Sequence, residues 1–122
     1  MRRNWYAAGL LLLLLLAVFG AGSYVDASTR QLDRELAAAQ AYAEQGEYGL
    51  SRQAYCRTAR WAEQIRPVWL LLLRRSLVDQ LEQTLATLPH YANEQNRADL
   101  AVETARAREQ TRQMRQSFFG RL

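Results

Sequence analysis

Residues 4–25 carry no charge, and seven of them, Leu10 to Leu16, are consecutive leucines. As a helix, 22 residues span roughly 33 Å at about 1.5 Å per residue, which matches a hydrocarbon core of about 30 Å. Trp5 and Tyr6 stand at one end of the stretch and Tyr24 at the other, where the aromatic belts of a membrane helix lie. Arg2 and Arg3 supply a basic flank. These five residues form the expected anchor interface.

A second reading competes. The most apolar part, residues 7–19, has the length of a signal-peptide core, and Ala21-Gly22-Ser23 offers the small residues a signal peptidase requires. Against cleavage, Tyr24 and Val25 prolong the uncharged run, no proline interrupts it, and glycine is tolerated in membrane helices. The expectation is an uncleaved signal anchor. Its layout is a cytoplasmic tail at 1–3, a transmembrane helix at 4–25 and a helical extracytoplasmic domain at 26–122. The alternative is a secreted domain cut near Ser23. Arg30 and Arg34 balance Arg2 and Arg3 across the span; the free amino terminus and the short leading tail favour the amino terminus inside and the domain outside a cell membrane.

Composition limits what that domain does. All 16 basic residues are arginine, a mark of coding bias or of a preference for forked guanidinium donors. Two precede the leucine run, so residues 26–122 hold 14 arginines against 12 carboxylates. That balance lacks the clustered positive charge with which a nucleic-acid binder displaces counterions, and no nucleic-acid partner is expected. The single cysteine, Cys56, excludes an internal disulfide. It suits either a packed position or a reactive or dimerising thiol.

The rest reads as all-α. Strand-like alternation is missing, and turn signals fall at Gly46 and Gly49 and at Pro89-His90. The pattern predicts a small antiparallel bundle of about four helices after the span. Ser28-Thr29-Arg30-Gln31 has the form of a capping box that restarts a helix beyond the membrane. Val25, Thr29, Leu32, Leu36, Ala39 and Ala43 mark its inner face. A second helix is expected over about 50–66, with Leu50, Ala54, Trp61 and Ile65 inward. A third follows with Pro67 in its first turn and a stripe of Leu70, Leu73, Leu77, Leu81, Leu85 and Leu88. A last helix over about 93–119 carries Leu100, Thr104, Ala107, Met114 and Phe118. Tyr42, Gly46, Tyr48, Ser51, Tyr55 and Thr58 are spaced much as in a tetratricopeptide unit. Solenoids need about three repeats, so the spacing is read as hairpin packing.

No chemistry is announced. His90 is the sole histidine; with Glu94 at i, i+4 it makes two ligands, too few for a metal site. Carboxylate pairs such as Asp79 and Glu82, or Asp99 and Glu103, read as solvated helix faces beside arginines. A phosphate loop, a nucleophile elbow and a Cys-x-x-Cys motif are all missing. The expectation is a protein that is not an enzyme, with no cofactor, no metal and no small-molecule substrate. Tyr55, Trp61 and Trp69 are candidate core anchors or a partner-binding aromatic patch. Arg108, Arg112 and Arg115, with Phe118 and Phe119, form either a helix end stabilised by its cations or a stripe lying on anionic headgroups.

Trp61 and Trp69, the run "LLLLRRSLVDQLEQTLATLPHY" and the later "DLAVETARAREQTRQM" together resemble the bacterial family called domain of unknown function 4363. The resemblance covers most of the chain. It implies one amino-terminal membrane helix with a helical remainder, and supplies no activity or site. The functional expectation is helix-to-helix association, with itself or with a protein partner. A role as accessory subunit of a membrane complex is the rival.

Overall fold

The structure, a computed structural model, describes residues 2–119. Helix α1 spans Arg2–Glu44, α2 Tyr48–Leu72, α3 Arg75–Thr87 and α4 Arg97–Phe119, with a 3-10 turn at Leu88–Tyr91 between the last two. Among the described residues there is no strand. The fold is a helical bundle in which α1 packs on α2 and α4, and α3 closes the side between those two.

The first departure from the sequence reading is the length of α1. Its 43 residues, roughly 65 Å at about 1.5 Å each, run unbroken through Ser28-Thr29-Arg30-Gln31. No helix restarts there. The Thr29 hydroxyl donates back to the Val25 carbonyl at 2.7 Å, and the Ser28 hydroxyl to the same carbonyl at 3.3 Å. Hydroxyls bonded to their own helix in this way do not cap. Both side chains are buried, so they face the bundle interior instead of the solvated end that a cap needs. The inner face beyond them is as expected: Val25, Leu32, Leu36, Ala39 and Ala43 are all in the core.

Helix α1 ends in a Schellman motif. Gly46 adopts φ +81°, its N–H donates to the Ala43 carbonyl at 3.1 Å, and the Glu47 N–H reaches the Tyr42 carbonyl at 2.9 Å. A left-handed residue at this position is where glycine is favoured. The turn fixes the rotation of α2, which buries Ser51, Ala54, Tyr55, Thr58, Ala62 and Trp69. Leu50 is 46% exposed, so the expected face is displaced by about one residue. The Ser51 hydroxyl donates to the Ala39 carbonyl at 2.8 Å and locks that rotation.

The second departure is at Pro67. Helix α2 passes through it, and the break falls at Leu73 and Arg74, both extended. A proline inside a helix costs about 3 kcal/mol. Breaking at Pro67 would take Trp69 out of α2, and burying an indole of about 150–250 Å² contributes about 4–6 kcal/mol at about 25 cal/mol per Å². Trp69 is fully buried while Pro67 lies on the exposed side, so burial of the indole outweighs the cost of the proline and decides the path. Asn93 and Asn96 form a turn, the Asn96 N–H donating to Asn93 Oδ1 at 2.8 Å, and α4 begins after it, four residues later than expected.

Hydroxyls thread the core. The Tyr55 and Thr104 hydroxyls bond at 2.8 Å, and the Thr58, Thr84 and Thr111 hydroxyls donate to carbonyls of their own helices at 2.8–3.1 Å. Each buried hydroxyl is satisfied, as burial requires.

Candidate membrane-facing surface

Every residue from Arg2 to Gly20 is exposed. Trp5 is 83% and Phe19 79% exposed, and no part of the bundle covers Leu10 to Leu16. Burial begins at Gly22. Helix α1 is long and apolar enough to cross a membrane, and its uncovered part, 19 residues or roughly 28 Å, is close to a bilayer core in length. Trp5 and Tyr6 mark its outer end, and Tyr24, partly buried against the core, its inner end.

Three elements meet where the apolar helix enters the bundle. A Cβ placed on Gly22 would lie 3.5 Å from a Phe119 ring carbon and 3.6 Å from a Phe118 one. Phe118 and Phe119 stack edge-to-face with centroids 5.4 Å apart, so the end of α4 is seated on α1 at this level. The Trp69 indole N–H donates to the Ser28 hydroxyl at 3.0 Å. Since Ser51 bonds to Ala39 and Trp69 to Ser28, α2 advances along α1 toward Gly22, and Leu73, four residues after Trp69, lies about one helical turn nearer it. The α2–α3 turn and the α4 terminus thus share one end of the bundle. An alanine at Gly22 meets only ordinary van der Waals contact. Gly22→Leu is expected to unseat the two rings and cost about 1–3 kcal/mol, read as a lower melting temperature of the full chain in detergent beside an unchanged Gly22→Ala.

The carboxy-terminal arginines divide. Arg108 is bidentate on Asp33 of α1, with Nε at 2.7 Å and Nη2 at 3.2 Å; this bond strengthens its hold on its proton. Arg112 pairs with Glu109, Nε to Oε2 at 2.9 Å, and holds that carboxyl below its usual range. Arg115, half-buried, makes no ion pair among the described residues. Arg108 stands roughly 17 Å along α4 from Phe119, and Arg115 roughly 6 Å from it.

Two of the three aromatic candidates are packed inside and the third, Trp61, is half-buried against them. Tyr55 and Trp69 are buried, and Trp61 stands edge-on to Trp69 with centroids 6.1 Å apart. Desolvation raises the Tyr55 phenol above its ordinary range. Cys56 is half-buried on α2, and His90 is exposed in the 3-10 turn. Among the described residues no group of three His, Cys, Asp or Glu could hold a metal ion.

One titratable cluster escaped the sequence. Arg66 of α2 bridges Asp79 at 3.0 Å and Glu82 at 2.9 Å on α3. Glu82 Oε1 is buried with no hydrogen-bond partner. Desolvation raises the Glu82 carboxyl above its ordinary value despite Arg66. A carboxyl with a raised folded pKa gives its stability contribution in full below the unfolded pKa and loses it as pH rises through the folded one. Glu82→Gln is therefore expected to match the parent in acid and to exceed it at neutral pH, by urea midpoints at both. A glutamine variant weaker than the parent at neutral pH would contradict this. The pairing is 13 to 16 residues apart across a helix break, and the misplaced break concealed it.

Comparison of the chain with protein-family models, with curated proteins and with solved structures gives no match in any of the three.

Proposed function

We propose that this is a single-pass membrane protein, held by residues 4–25 as an uncleaved signal anchor, whose bundle serves non-catalytic association with a protein partner or a second copy. The observation that carries the reading is α1 itself. Its apolar part is uncovered for one bilayer thickness, and the same helix then supplies the inner face of the bundle with no loop between. An exposed apolar stretch of this size needs an apolar environment, and lipid is the one its length fits.

Continuity also supports retention. Gly20 to Ser23 are helical and Gly22 is buried beneath Phe118 and Phe119, so the small-residue stretch belongs to the folded structure, as a retained segment would. The hydrogen bonds from Ser51 to Ala39 and from Trp69 to Ser28 support an antiparallel path for α1 and α2, and those from Arg97 to the Glu44 carbonyl and from Arg108 to Asp33 do the same for α1 and α4.

The association role rests on what the core leaves over. The heptad faces are consumed inside one chain, so contact falls to the outer surface. There Tyr42 and Leu50, 37% and 46% exposed, flank the turn at the end far from the span. Light scattering of the full chain in detergent, with and without Tyr42→Ser and Leu50→Ser, tests the self-association arm. A mass that falls in the double variant supports a second copy; a parent that is monomeric leaves the role to a different protein. Arg2 and Arg3 support the amino terminus inside. A phosphatase fused after the last residue is active only if the domain is outside.

A further inference from the structure

The near end of the bundle carries a surface that the core does not explain. At the α2–α3 turn Leu71 is 84% exposed, more than any leucine of the apolar helix, between the half-buried Leu70 and Leu72. Arg74 and Arg75 follow, both exposed. Trp69, two residues before Leu71, is hydrogen-bonded to Ser28, so the turn lies toward the stretch of α1 where burial begins, at Gly22, and where Phe118 and Phe119 are seated. An exposed leucine beside arginines, at the depth where a membrane helix leaves the hydrocarbon, has the chemistry of an interfacial contact.

We propose that this end of the bundle is a second, peripheral membrane contact. Leu71 inserts at the acyl boundary, and Arg74, Arg75 and Arg115 bind the phosphates of anionic lipid headgroups.

The charges are available for it. Among the described residues Arg74 and Arg115 make no ion pair, and Arg75 reaches Asp79 only at 3.7 Å, that carboxylate being held at 3.0 Å by Arg66. Asp26, the other acid at this end, is paired with Arg30 at 3.0 Å. The near end therefore presents net positive charge next to the bilayer. Each arginine at an anionic surface is worth about fivefold in partition. Guanidinium suits the task because its fork matches phosphate oxygens. The contact fixes the bundle's tilt: a single continuous helix sets its height, and the α2–α3 turn stops it swinging about that helix.

This inference rests on the membrane reading above, and the test separates the two. The full chain, in a Cys56→Ser background, carries a nitroxide in the Leu71→Cys, Leu14→Cys or Leu50→Cys variant. Each is reconstituted into phosphatidylcholine vesicles with or without phosphatidylglycerol. Collision with oxygen, which concentrates in lipid, is compared with collision with a water-soluble nickel complex. The expected result is oxygen-dominated relaxation at Leu14 and Leu71, nickel-dominated relaxation at Leu50, and a Leu71 signal that shifts severalfold toward nickel without phosphatidylglycerol or with Arg74→Gln, Arg75→Gln and Arg115→Gln combined. A Leu71 label as open to nickel as the Leu50 label, beside a lipid-buried Leu14 label, would overturn the docking face and leave the anchor standing. A Leu14 label in water would overturn both.

Discussion

Trp69→Ala is expected to cost the bundle about 3–5 kcal/mol, the range for a large aromatic removed from a core. That is a large share of the roughly 5–15 kcal/mol by which domains are stable. The indole is fully buried, packs edge-on against Trp61 and donates to Ser28 across the α1–α2 interface. It is also the residue that carries α2 past Pro67. Its loss therefore removes the reason for the helix to continue, and α2 should shorten toward Arg66. Urea unfolding of the full chain in detergent, followed by circular dichroism, reads both the lower midpoint and the lost helicity. Trp69→Phe keeps a ring and loses one hydrogen bond. Ser28 still donates to Val25, so that variant is expected to lose only about 0.5–1.5 kcal/mol from the bond. A Trp69→Ala midpoint close to that of the parent would contradict the assigned packing.

The second large effect is on location. Leu13→Arg combined with Leu14→Arg places two guanidiniums at the centre of the apolar helix, on faces about 100° apart. Each costs about 2.5–3.5 kcal/mol for insertion, so together they lower insertion by roughly four orders of magnitude. Both leucines are more than half exposed and outside the core, so the cost falls on insertion and not on the packing of the bundle. The double variant is expected in the carbonate-soluble fraction with the bundle's helicity intact, while the parent stays in the pellet. A variant that still pellets while remaining folded would show that something other than lipid covers this helix.

The sequence made some of this readable and hid the rest for physical reasons. The inner faces of α1 and α4 repeat at helical spacing with apolar or small residues, and periodicity finds such faces. Val25 through Ala43 and Leu100 through Met114 are buried as the spacing predicts. Gly46 was legible because few other residues suit its conformation. The caps and breaks were not. Ser28 and Thr29 have the composition of a cap, and only the position of Trp69, 41 residues away, turns them inward. Pro67 has a local preference that a distant burial overrides.

The candidate surface divides in the same way. Arg2, Arg3, Trp5, Tyr6 and Tyr24 are marked by composition along one helix. Leu71, Arg74 and Arg75 reach the Tyr24 end of that stretch only because the chain folds back, and "VWLLLLRR" looks locally like the inside of a helix. The Asp33–Arg108 pair, 75 residues apart, leaves no local trace at all.

The central claim is that one unbroken helix both anchors the protein and builds its bundle. The mass of the mature chain recovered from carbonate-washed membranes tests it most directly. The expected product is a chain in the pellet that retains residues 4–23. A carbonate-soluble chain beginning at Tyr24 would contradict the claim.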